Sequence, residues 1–169
     1  MSNANTKPVP GLPAGYSADR LWQDGKVVLH IQHHNHLLRR EIFDPDTWLD
    51  DLTDDPAATP ASAESMAEFY ARAFVTLHTN LRQQLGENGL HDKASGISLR
   101  YCLGKCKGDP RCDNLDVGFY RHGQLLRSDS YRLYMPYFDP CGDFQQEIPE
   151  LLEPVLEDFW QLIAEHRQF

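Results

Sequence analysis

The sequence predicts an α+β fold: one domain with a single, mostly antiparallel sheet of about five strands, covered on one face by two long helices. Three observations carry this expectation. Two stretches alternate apolar and polar residues with the period of a strand, "KVVLHIQH" and "LDVGFYRHGQLLRS". A 26-residue stretch from Pro60 to Leu85 repeats apolar residues at spacings of three and four. A second stripe of that kind closes the chain, from Ile148 to Ile163.

Residues 1–16 are rich in Pro, Gly, Asn and Ser and carry no apolar pattern, so they are expected to form a flexible tail ahead of a single domain over 17–169. In "KVVLHIQH", Val27, Leu29 and Ile31 share one face. A polar break at His34-Asn35 and a second extended run, "LLRREIF", make the pair a hairpin. Six aspartates follow between residues 44 and 55 without a base among them. A calcium loop of the EF-hand kind needs oxygen ligands at alternating positions, and Trp48 stands where the third belongs, so a solvated acidic loop is expected there.

Thr59 suits an N-cap and Pro60 the first helical position, where its missing N–H costs nothing. Met66, Phe69, Tyr70, Ala73, Phe74, Leu77, Leu81 and Leu85 then form the buried stripe, and Gly86 ends the helix. "GISLRYCLG" reads as a strand and "KCKGDPRCDN" as a loop. "LDVGFYRHGQLLRS" reads as a hairpin turning at His122-Gly123, and "DSYRLYMPYF" as strand as far as Pro136. In the C-terminal helix, Pro149 is a natural start. Pro154 removes an internal hydrogen bond, so a kink or restart is expected there. No internal repeat and no interdomain linker stand out.

Hydrophobic residues make up 41% and charged residues 24% of the 169, an ordinary globular composition. A net charge of −9 argues against nucleic-acid binding, which needs clustered Lys and Arg, and suits a basic protein partner. No apolar run approaches the roughly 20 residues of a membrane span, and the N-terminus lacks the pattern of a secretory signal; a cytoplasmic protein is expected.

Two constellations bear on metal chemistry. His30, His33, His34 and His36 crowd seven residues, and a turn at 34–35 sets His33 and His36 across the hairpin mouth as a two-ligand arrangement without a third partner nearby in sequence. Cys102, Cys106, Cys112 and Cys141 supply four thiols. Their first spacings are three and five residues rather than the two of a usual zinc knuckle. No cofactor is expected; zinc is the one candidate, and disulfides or inert thiols are the alternatives. Nucleophile-elbow, dinucleotide-binding and P-loop motifs are all lacking, so enzyme machinery has no support.

The remaining candidate is a surface. Between Phe119 and Phe138 the chain packs ten aromatic, Arg and Met residues, and alternation turns Tyr120, Arg132 and Tyr134 away from the core-facing side. Tyr and Arg are enriched at protein interfaces because they bury area while keeping a polar tip. The expected function is therefore a non-enzymatic acidic protein-binding module, a stoichiometric inhibitor or immunity-type protein. Tyr120, Arg132 and Tyr134 would anchor the partner, and Asp50, Asp51, Asp54 and Asp55 would steer it. The alternative is a metal-dependent enzyme or metal sensor built on the His30–His36 cluster or the cysteines.

Overall fold

A computed structural model describes residues 6–44, 60–105, 112–134 and 142–167. They form an α+β protein of two compact units, one running up to Val75 and the other beginning at Thr76. The first contains strands β1 (Thr6–Pro8), β2 (Tyr16–Gln23), β3 (Lys26–His33) and β4 (His36–Phe43), joined in that order into an antiparallel sheet. Helix α1 (Pro60–Leu85) starts in this unit and ends in the next. The second unit adds β5 (Leu90–Asp92), β6 (Ile97–Lys105), β7 (Cys112–Arg121) and β8 (Gln124–Tyr134), again antiparallel and in chain order, followed by α2 (Gly142–His166).

The expected single sheet of five strands is thus two sheets of four. For β2 the difference lies in inward positions that are not aliphatic, while β1 and β5 are only three residues long. β2 points Arg20 and Trp22 to the same side as Ala18, and those residues are held by α1 rather than by oily contact. Arg20 bonds Glu68 at 3.1 Å, and the Trp22 indole donates to Glu64. β1 lies in the segment expected as a tail. It pairs with β2, Val9 behind it is buried, and the Val9 amide donates to the Ala18 carbonyl at 2.8 Å. Lys7 of β1 also reaches Glu64 at 3.3 Å. Burial alone would raise the Glu64 pKa, but the Trp22 and Lys7 hydrogen bonds and the Lys7 and Arg20 charges outweigh it and hold the carboxyl below its ordinary range.

α1 has the bounds the stripe predicts. Met66, Tyr70, Ala73, Phe74, Leu77, Leu81 and Leu85 are buried, and Gly86 at φ +80° stops the helix. In the first unit its early turns close a core with Ala18, Val27, Leu29, Ile31 and Phe43. Set into that core is Arg39, which donates to the Tyr70 hydroxyl at 3.3 Å and lies 5.0 Å from the Phe74 ring centroid. In the second unit Ile97, Leu99, Leu115, Val117 and Phe119 form the inner side of the sheet, and Ile148, Leu152, Val155, Phe159 and Ile163 form the buried stripe of α2.

α2 begins seven residues before Pro149 and continues through both prolines instead of restarting at Pro154. Pro149 and Pro154 lie on the exposed side, where the carbonyls that lose their amide donors can take water instead. Among the described residues, no helix is long and apolar enough to cross a membrane.

Both units follow one plan, four meandering strands and then a helix, and the likeness extends to detail. The third and fourth strands of each meet at a two-residue turn with positive φ at both positions, His34-Asn35 and His122-Gly123. Three residues past each turn one leucine, Leu38 or Leu126, is skipped by the ladder as a bulge. The His34 amide donates to the Gly15 carbonyl at 2.8 Å, and the His122 amide to the Gly96 carbonyl at 3.0 Å. Each imidazole also lies where a side chain on that glycine would stand. The strings "HNHLLRRE" and "HGQLLRSD" carry this shared hairpin. The repeat escapes a search for a fixed period because few other positions match.

Candidate functional site

The second sheet has an inner side lined by buried apolar residues and an outer side that is not. Alternation sends Arg100 and Cys102 of β6, Asp116, Gly118 and Tyr120 of β7, and Leu125, Ser128, Ser130 and Arg132 of β8 outward. The ladder sets them in rows: Tyr120 beside Leu125, Arg100–Gly118–Ser128, and Cys102–Asp116–Ser130. The middle of the face is small. At one end Tyr120 folds back along its own strand over Gly118, and a β-carbon at that glycine would stand 2.8 Å from the ring's Cε2. The Arg100 guanidinium lies 5.0 Å from the Tyr120 ring centroid, a cation–π stack at an exposed site.

Leu125, opposite Tyr120, is 57% exposed, far more than an apolar side chain kept for the core. Together these side chains frame a shallow hollow of about 240 Å³. Asp116 is tied down within the face: its Oδ1 accepts from Asn114 Nδ2 at 2.6 Å and from Ser130 Oγ at 2.6 Å. Arg132 is exposed at the other end, opposite Asn114.

The inner side of β8 carries a charged group of its own. Arg127 bonds Asp129 at 2.9 Å and Asp158 of α2 at 2.8 Å, with its guanidinium 5.9 Å from the Phe119 ring centroid. Burial would lower the Arg127 pKa, but the two carboxylates outweigh it and raise it. Burial, and then the same carboxylates, raise the pKa of the neighbouring Tyr131, so its phenol keeps its proton.

Of the residues singled out in the sequence, Tyr120 and Arg132 share the outer face as alternation requires. Tyr134 ends β8 with its side chain outside the described residues, and Asp50, Asp51, Asp54 and Asp55 also lie outside them. Cys102 is exposed on the same face, its Cα opposite Asp116. Cys106 and Cys141 fall outside the described residues, as does the side chain of Cys112. His33 and His36 are direct partners across the hairpin mouth, but His33 is buried, its ring 4.3 Å from Tyr16 and 4.1 Å from His34, while His36 is exposed. His30 lies on the other face, in a row with Asp19 and Arg40. Among the described residues, no three of His, Cys, Asp and Glu are grouped so as to hold a metal ion.

Arg100, Gly118 and Leu125 are the outer-face residues that the sequence does not single out. A glycine inside a strand pattern is a sign of close approach by a neighbouring group, and Gly118 is that sign here. Compared with known proteins, the chain matches no family model, no curated protein and no solved structure.

Proposed function

We propose that this chain is a non-enzymatic, acidic protein-binding module of the cytoplasm, which captures a protein partner on the outer face of the β5–β8 sheet and acts by occupying the partner's surface. An inhibitor or immunity-type role follows from stoichiometric capture. The supporting observation is the Arg100–Tyr120 stack with Leu125 exposed at its side, on a sheet whose opposite face is apolar and buried along Ile97, Leu99, Leu115, Val117 and Phe119. An aromatic ring held by a cation and flanked by an uncovered leucine presents large, already ordered area. Binding hot spots have that character, because little rotamer entropy is lost on contact. The net charge of −9 favours a basic partner by long-range attraction.

The test is quantitative capture of the partner by the intact chain and by Tyr120→Ala, Leu125→Ala and Arg132→Ala. Substitution at Tyr120 should weaken capture by at least about 2 kcal/mol, roughly thirty-fold in Kd, with circular dichroism unchanged. Undiminished capture by all three variants would refute the assignment of this face. Metal analysis of untagged protein decides the alternative: stoichiometric zinc or iron would favour a metal-dependent role.

A further inference from the structure

β8 is the edge of its sheet, paired among the described residues with β7 alone. It is eleven residues long and free of proline, with Gln124–Ser128, Ser130 and Arg132 exposed. Such an edge offers a row of backbone N–H and C=O groups to any strand that approaches, and proteins commonly guard it with charges that repel a second copy. The guard here is of mixed sign. Arg127 and Asp129 are two residues apart on one face, 48% and 28% exposed. Their counterparts in the equivalent strand of the first unit, Arg39 and Glu41, are buried. The pair is therefore open to the outside only on β8.

We propose that β8 pairs antiparallel with β8 of a second copy, about a two-fold axis passing through Ser128. Residues directly opposite in an antiparallel pair share a face. In this register Arg127 of each copy faces Asp129 of the other, on the regular stretch of β8 that follows the Leu126 bulge. Four charges of alternating sign then line up across the joint. Moving the axis by one residue sets Asp129 against Asp129, so the charges select the register as well as the partner. The two outer faces become one continuous surface with the Arg100–Tyr120 stacks still uncovered, so the pairing stands independently of the binding reading above.

Charge exchange tests it on the full-length chain. The wild type should show dimer mass in sedimentation or light scattering, dissociating on dilution. Asp129→Arg and Arg127→Asp should each be monomeric, since each sets like charges opposite one another. Mixed in equal amounts, the two variants should recover the dimer, because one then offers two arginines and the other two aspartates. A wild type that is monomeric at every concentration overturns the proposal, as does a dimer indifferent to both substitutions or a mixture that stays monomeric.

Ser128→Cys gives a second reading that needs no charge change. Directly opposite residues lie about 4.5 to 5.5 Å apart at Cα, within disulfide range. Mild oxidation should link this variant into a dimer on a non-reducing gel while the wild type, with its native thiols, stays unlinked. Failure to cross-link beyond the wild-type level counts against the register.

Discussion

Gly118, Gly15 and Gly96 are each overlain by a ring, Tyr120, His34 and His122 respectively, and at each a side chain would displace that ring. Small residues thus set where aromatic groups lie on both sheets. Ser95 does comparable work with polar atoms. It is buried, and its hydroxyl and amide donate to Asp92 Oδ2 at 2.7 and 3.0 Å, while its Oγ accepts from the Ile97 amide at 3.2 Å. These two donations, ahead of the nearby Arg167 charge, hold the Asp92 pKa below its ordinary value of 3.8. A depressed carboxyl adds stability that is complete above the ordinary value and is lost as pH falls through the lower native one. Ser95→Ala should therefore be less stable than wild type at neutral pH, with the gap in denaturation midpoint narrowing in acid below that ordinary value. A gap of constant size from neutral pH into acid would show that Asp92 is not the linked group. At this scale, alternation alone placed Tyr120 and Arg132 on one face. Arg100 and Gly118 needed the neighbouring strand to become meaningful, because their roles are defined by what crosses from β6 to β7.

Elements were legible where a single physical term dominates. α1 is recovered to the residue because its cap, first-turn proline, apolar stripe and terminal glycine all agree. The β7–β8 hairpin is recovered at its His122-Gly123 turn, but β7 begins at Cys112, inside the stretch expected as a loop, because its alternation is hidden by Asp113 and Asn114. β2 was not legible: Asp24-Gly25 is a strong hairpin turn signal, both residues have positive φ, and it joins β2 to β3, but the inward Arg20 and Trp22 hide the alternation. α2 shows a local rule overridden. Its apolar stripe of Ile148, Leu152, Val155, Phe159 and Ile163 runs past Pro154, and burying it outweighs one lost backbone hydrogen bond. If the proline is merely tolerated, Pro154→Ala restores the amide donor to the Glu150 carbonyl and should raise stability in urea by up to about 3 kcal/mol. A destabilised variant would mean that Pro154 is needed for the shape of the helix.

At the scale of the molecule, the largest difference from the single five-strand sheet expected is that one plan of four strands and a helix occurs twice. α1 is uninterrupted from Pro60 to Leu85, and the division between the units falls inside it, after Val75. Its buried residues Tyr70 and Phe74 belong to the first unit, and Leu77, Leu81 and Leu85 to the second. A helix of this kind is stabilised mainly by packing of its apolar face, and its two ends are linked by a continuous hydrogen-bond ladder. Losing the packing at one end therefore weakens the helix that the other end needs. The two units should unfold together in a single transition, whether followed by far-ultraviolet circular dichroism or by tryptophan fluorescence, which sums Trp22 and Trp48 ahead of Thr76 in the sequence and Trp160 after it. Phe74→Ala and Leu81→Ala remove buried volume from different units. Each should lower stability by roughly 2 to 5 kcal/mol and move that one transition as a whole. Two separable transitions, with each substitution shifting only its own, would show that the shared helix does not couple the units.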